Sequence, residues 1–279
     1  MNKKILITGG NGFIGSHLNV FLINNGYDVE ILKDDVKNSL KTNYKADIVV
    51  HLAGKNEGSK DYIKENNVRG TLNVLEFCKD NHAKLLFVST VGVYGNPLYI
   101  PIDENHPPKP TNSYSKSKLE AEILCKDFSD RYGIEVTVLR LANVYGMGQK
   151  AKFLIPSILE SIKKNKEIKI NSPGDIKRDF VYIDDILDAF LKCINFKRNN
   201  FEVFNIGSGY SVSIAEIIKI FAETLNKKLK INYLNLKKDE VKDICIDYSK
   251  AKSLLNWSPK IGIKEGINYI LLCGRDGFP

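Results

Sequence analysis

The chain has 279 residues, enough for a sizeable core, with 43% hydrophobic and 27% charged residues, the ordinary balance of a soluble globular fold. Its net charge of +8 comes from 41 basic and 33 acidic residues in mixed runs such as Lys237-Lys238-Asp239-Glu240, which excludes a nucleic-acid footprint and leaves a mild attraction for anionic small molecules. No apolar run approaches a membrane span, no signal peptide is expected, and five scattered cysteines without C-x-x-C spacing suggest neither disulfides nor a metal site, so a cytoplasmic protein is expected.

A short apolar run, Ile5 to Ile7, reads as a buried strand and breaks at Gly9-Gly10-Asn11-Gly12. Apolar residues then recur at helical spacing through Ile14, Leu18 and Leu22. Strand, glycine turn and helix give the pattern Gly10-x-Gly12-x-x-Gly15 its meaning, because the glycines permit a tight turn, close approach of a pyrophosphate and close helix–strand packing. The helix N-terminus then faces the phosphates. Dinucleotide binding is the expectation, with Gly9, Gly12, Phe13, Ile14 and Gly15 in contact.

Val29 to Leu32 is the second strand. The residue closing it sets the choice of cofactor, since an acid there binds the adenosine ribose. Lys33 holds that place, followed by Asp34 and Asp35. A lysine suits a 2′-phosphate, which favours NADP(H) over NAD(H), unless Asp34 does the work of the acid. The strand Ala46–Gly54 follows so soon that the usual strand–helix unit between them is reduced or missing. Residues 59–80 are helical in pattern, 84–90 a strand, and Pro97–Pro110 a surface loop. A helix begins near Asn112, and a strand spans 136–141.

This alternation predicts an α/β fold, a Rossmann-type doubly wound parallel sheet with a smaller C-terminal substrate-binding lobe. Residues 1–150 make the dinucleotide domain, with segments returning at about 179–206. Residues 151–178 and 207–279 make the lobe, in which 153–164 and 213–225 read as helices and 168–170 and 230–234 as strands.

Tyr114 and Lys118 are four apart on a predicted helix and share a face. An ammonium beside a phenol is expected to lower the tyrosine pKa and make it a usable acid/base. Taken alone, such a pair is common on exposed helices. The glycine fingerprint and the hydroxyls of Ser89-Thr90 at a strand end change that weighting.

The chain resembles the extended short-chain dehydrogenase/reductase family, in its nucleotide-sugar epimerase/dehydratase branch, over nearly its whole length. The matching motifs are Thr8–Gly15, His51-Leu52-Ala53-Gly54, Ser89-Thr90 ahead of Val93-Tyr94-Gly95, Tyr114–Lys118, Arg140–Gly146, Arg178–Asp185 and Phe204–Gly209. The resemblance implies a catalytic set in which Thr90 holds the substrate oxygen, Tyr114 passes the proton, and Lys118 tunes Tyr114 and holds the nicotinamide ribose. It adds Leu52, Ala53 and Gly54 to the NAD(P) contacts. It assigns Ser89, Thr90, Tyr94, Asn143 and Arg178 to a nucleotide-diphosphate sugar, for which arginine's fork suits the diphosphate. His51 is expected to be structural, and a homodimer is implied through the helices near 60–80 and 112–130.

Family 4,6-dehydratases carry Asp-Glu after the catalytic threonine; this chain has Val91-Gly92, so dehydration is not expected. Lys33 and the short connection resemble the ketoreductases, which makes a 4-ketoreductase of a nucleotide-linked 4-keto (6-deoxy) hexose the leading expectation. The alternative is an NAD-retaining 4-epimerase of a UDP-hexose type, to which the remaining motif wording is closer. A non-catalytic cofactor-sensing module is the remote third, opposed by the intact Thr90, Tyr114 and Lys118.

Overall fold

The computed structural model describes residues 3–38, 40, 44–197, 201–234 and 241–273; the mixed-charge run at 237–240 lies outside them. The first half holds β1 (Lys4–Thr8), α1 (Phe13–Asn24), β2 (Asp28–Ile31), β3 (Ile48–His51), α2 (Lys60–Lys64), α3 (Gly70–Asn81), β4 (Lys84–Thr90), α4 (Ser113–Tyr132) and β5 (Val136–Leu141). The second holds β6 (Asn143–Tyr145), α5 (Leu154–Lys163), β7 (Ile168–Ile170), β8 (Lys177–Tyr182), α6 (Ile183–Asn195), β9 (Phe201–Ile206), β10 (Ser211–Ser213), α7 (Ile214–Leu225), β11 (Ile231–Tyr233), β12 (Asp243–Ile244), α8 (Ser249–Leu255) and α9 (Ile263–Cys273).

Six strands form one parallel sheet in the order β2-β1-β3-β4-β5-β9. Its central strands are mainly apolar because helices cover both faces, with polar residues such as Thr8, His51, Ser89 and Thr90 at their carboxyl ends. Ile5 and Ile7 join the core on one face, and Leu6, between them, joins the core on the other. The chain runs outward from β1 to β2 and then returns to β1's other edge with β3. That reversal opens a crevice at the carboxyl ends of β1 and β3, where Thr8 pairs with His51.

No helix lies between β2 and β3 among the described residues, as the short spacing implied. The connection is held down instead by α3. Asn73 Nδ2 donates to the carbonyls of Val36 and Asn38 (2.8 and 3.1 Å). A Cβ on Gly70 would lie 2.8 Å from Val36 Cγ2. The single helix expected over 59–80 is interrupted: Glu65–Arg69 form a π-helical turn between α2 and α3.

The second, smaller arrangement centres on β8, flanked by β10 and β12 and paired also with β6. Of the segment 179–206, β9 therefore lies in the large sheet, whereas β8 lies in the small one. Two buried acids tie the C-terminal segments to it. Asp179 accepts from the backbone N–H groups of Ser208, Gly209 and Ile246 (2.7, 3.1 and 3.2 Å). Asp185 accepts from those of Lys260 and Ile261 (both 3.0 Å), and its carbonyl takes Trp257 Nε1–H (2.9 Å). Hydrogen bonds to a charged group are worth about 1.5–3 kcal/mol each. Asp185→Ala removes two such bonds and should therefore lower the unfolding free energy by about 3–6 kcal/mol in urea titration.

Candidate active site

β1 runs straight into the glycine turn. Gly9 sits at φ +71°, and a Cβ there would lie 2.7 Å from Ala53 N, so both the conformation and the space require glycine. Gly12 N–H closes the turn onto Gly9 O (3.0 Å). A Cβ on Gly15 would overlap Gly9 O, which is why α1 can start so close to β1. Gly12 caps α1 without a side-chain bond, and no acid stands in the first turn. This is a cradle that a side chain would fill, with open helix N–H groups and positive dipole, and it fits a dinucleotide pyrophosphate.

The walls of the crevice are joined by a buried hydrogen-bond chain. Ala53 N–H donates to Thr8 Oγ1 (3.2 Å), which pairs with His51 Nδ1 (2.6 Å). His51 Nε2 meets Thr71 Oγ1 (3.1 Å), and Thr71 donates to Asn67 O (2.6 Å). Burial, with Lys118 nearby, lowers the His51 pKa to about 3, so its ring is neutral and structural, as expected. Asn67, in the π-helical turn, clamps both backbone groups of Lys55 (2.7 and 2.9 Å) and donates to Ser117 Oγ (2.8 Å), which donates to Tyr114 O (2.7 Å).

Thr90, Tyr114 and Lys118 all line one cleft of about 870 Å³ together with the glycine turn, Leu52 and Gly54. Thr90 ends β4, and its Oγ1 accepts Gly92 N–H (3.1 Å), leaving its own proton to donate elsewhere. Asn112 Oδ1 caps α4 through Ser115 N–H (2.8 Å), setting Tyr114 in the first turn beside the cleft. Lys118 is buried one turn further, its Nζ 4.2 Å from the Phe87 ring centroid.

The electrostatics differ from the expectation. Burial alone pushes Tyr114 up to about 12. Burial also lowers Lys118 to about 8, opposed by Cys125 and Glu122. Lys118 therefore does not pull the phenol down in this structure: its charge rests on the Phe87 ring, and desolvation of the phenolate dominates. Tyr114 holds its proton at neutral pH.

Of the expected sugar-nucleotide contacts, Asn143 and Arg178 line the cleft. Asn143 stands in β6 rather than in a turn, and its Nδ2 donates to Asp179 O (3.0 Å). Arg178 Nη1 donates to the carbonyls of Lys177 and Val241 (both 2.7 Å). Ser89 also reaches the cleft, but its hydroxyl donates to Glu122. Tyr94 is a correction. It is fully buried outside the cleft lining, with its hydroxyl donating to Asn205 Oδ1 (2.7 Å) and accepting from Arg140 Nη1 (2.9 Å). The three-residue spacing from Val91 turns it inward because Val91–Tyr94 form a 3₁₀ turn.

Two expected cofactor contacts also sit outside the cleft lining. Lys33 is exposed just beyond β2, and Ala53 backs the turn from behind Gly9. Conversely, Lys150, Lys152 and Lys169 line the cleft and were not anticipated. With Lys118 and Arg178 they make five cations, and no acid is among the described residues lining it. The only trace of this in the sequence was the overall positive charge. Among the described residues, no cluster of His, Cys, Asp and Glu could hold a metal, and no helix is long and apolar enough to cross a membrane.

Known proteins are similar to this chain along nearly their whole length. A Methanocaldococcus jannaschii protein named "Putative UDP-glucose 4-epimerase" is 36% identical over 96% of this chain and 97% of its own. The UDP-glucuronate 4-epimerase of Thermodesulfobacterium geofontis is 34% identical over 94% and 93%. The crystal structure of Thermotoga maritima UDP-glucose 4-epimerase with UDP-glucose superposes with a TM-score of 0.92, at 29% identity, covering 98% of this chain and 99% of that one. Residues 5–207 match the NAD dependent epimerase/dehydratase family. The chain is thus an enzyme of the extended short-chain dehydrogenase/reductase class and belongs to the NAD-dependent epimerase/dehydratase family.

Proposed function

We propose that the protein is a 4-epimerase of a UDP-linked hexose or hexuronate that works with retained NAD. The observation carrying this reading is the pair of full-length relatives above 30% identity, both named for 4-epimerisation of a UDP-sugar. The position after Thr90 supports it. Val91 is buried in the core and Gly92 lies tight against Ser115 Oγ, so neither position presents the acid that the dehydratases carry after the threonine. The ketoreductase reading leaned on Lys33, which stands outside the cleft, and on the short β2–β3 connection, which is a feature of fold rather than of the reacting centre.

In this reading Thr90 donates its hydroxyl proton to the sugar O4 and holds it. Tyr114 exchanges the O4 proton, taking it in the oxidising half and returning it in the reducing half. Lys118 anchors the ribose and places positive charge beside Tyr114. When bound, the dinucleotide supplies the hydride acceptor and donor. Asn143 and Arg178, with the cleft lysines, hold the diphosphate. A homodimer is part of the proposal: α3 and α4 pack together and leave Leu72 and Ile123 exposed (36% and 61%).

Purified protein should carry NAD and interconvert UDP-glucose or UDP-glucuronate with its C4 epimer without added cofactor. A requirement for stoichiometric NADPH and a 4-keto substrate would overturn the reading in favour of the reductase. Tyr114→Phe should lower kcat by about 10²–10⁴-fold, the usual weight of a positioned acid/base; wild-type activity would take Tyr114 out of that role. Lys118 is charged below pH about 8 and neutral above it. The kcat/KM profile of the NAD-loaded enzyme should therefore turn down on the alkaline side, at or above about 8, since the bound diphosphate favours the ammonium.

A further inference from the structure

Beneath Thr90 lies a second polar network that the proton and hydride steps do not use. Glu122 is four residues beyond Lys118 and eight beyond Tyr114 on α4, so all three share one face. Its carboxylate is 4% exposed. It accepts from Arg140 Nε (3.2 and 3.1 Å), from Arg140 Nη2 (2.6 Å) and from the Ser89 hydroxyl. Arg140 continues through Nη1 to Tyr94, and Tyr94 to Asn205 on β9. Ser89 pairs with Arg140 across β4 and β5, and Thr90 is the next residue on β4. One carboxylate thus ties α4 to three neighbouring strands at the level of the reacting hydroxyl.

A buried ion pair is a poor source of stability. The desolvation of both charges offsets their attraction, and apolar replacements are often neutral or stabilising. Its placement points to another use. We propose, resting on the reading of Thr90, Tyr114 and Lys118 as the catalytic set, that Glu122 is the positioning residue of this centre: through Ser89 and Arg140 it fixes the Thr90 end of β4 against the helix face carrying Tyr114 and Lys118, and it sets a negative charge beside Lys118. The groups around Lys118 are Tyr114, Glu122 and Cys125 on α4, His51 on β3 and the Phe87 ring on β4, with Arg140 beyond Glu122. His51 is neutral, and burial holds the protons on Tyr114 and Cys125. Glu122 is the anion of this set.

Glu122→Gln keeps the shape and removes the charge. Lysine-labelled protein, with the Lys118 13Cε signal assigned by its loss in Lys118→Arg, should show Lys118 titrating about one unit lower than in the wild type, because an anion is lost and Arg140 is left unpaired. In the UDP-sugar assay kcat should fall about tenfold or more with KM little changed, the mark of lost placement rather than lost binding. Ser89→Ala leaves the ion pair intact and removes only its tie to β4. It should lower kcat several-fold while Lys118 titrates as in the wild type. A folded Glu122→Gln protein with unaltered kcat and Lys118 titration overturns the proposal. Should that variant not fold, wild-type kcat in Ser89→Ala overturns it. The titration needs no substrate, so failure of the epimerase reading and failure of the Glu122 reading give different results.

Discussion

His51 stands inside the parallel sheet with both ring nitrogens engaged, and the geometry of the cleft depends on that arrangement. Thr8 accepts from Ala53 N–H, so its own proton goes to His51 Nδ1; Thr71 donates to Asn67 O, so it accepts from Nε2–H. Every member has one donor and one acceptor satisfied, in a region where an orphaned polar group would cost roughly 1–3 kcal/mol. The chain fixes β1 to β3 where the glycine turn leaves the sheet. It also fixes β3 to the π-helical turn, whose Asn67 holds the loop after Gly54 and, through Ser117, the first turn of α4. The cradle for phosphates and the helix bearing Tyr114 are thereby set in one frame. A π-helical turn costs regular helix hydrogen bonding, and it recurs at functional sites because it re-aims side chains. Here it swings Asn67 toward both walls.

Two neighbouring networks beneath the same cleft follow opposite electrostatic rules. The one through His51 is neutral, because burial strips the imidazole of its charge. The one through Glu122 and Arg140 keeps its charges, because each has a bidentate partner. Lys118 lies between them and has neither solution. It is buried and set over an aromatic ring, with one carboxylate nearby, and its pKa falls accordingly.

The parts of the site that depend on backbone geometry were legible in the sequence. Gly9, Gly12 and Gly15 announce a turn that only glycine can make, and the missing strand–helix unit shows in the spacing between Ile31 and Ile48. Tyr114 and Lys118 declare a shared face by their spacing alone. What was hidden depends on packing across the sequence. Tyr94 sits in a motif shared with cleft residues, yet the turn after Thr90 sends it into the core to meet Arg140 and Asn205, 46 and 111 residues away. The interaction of Lys118 with Tyr114 was read from proximity, whereas desolvation, which no spacing reveals, outweighs it. The last helix, α9, carries its own period in Ile263, Ile267, Ile270 and Leu271, and Asp185 fixes the segment leading into it, a link that no spacing reveals.

The cleft's charge connects these points. Five cations face it with no acid among the described lining residues, and two of them have an acid just outside the lining, Lys152 paired with Glu57 (2.7 Å) and Lys118 with Glu122 nearby. In the proposed reaction two diphosphates, one from a dinucleotide and one from a sugar nucleotide, would bring about four negative charges to these walls. Each anion that enters makes the ammonium form of Lys118 more favourable. In the proposed mechanism that ammonium is the charge set against the burial that otherwise holds the proton on Tyr114.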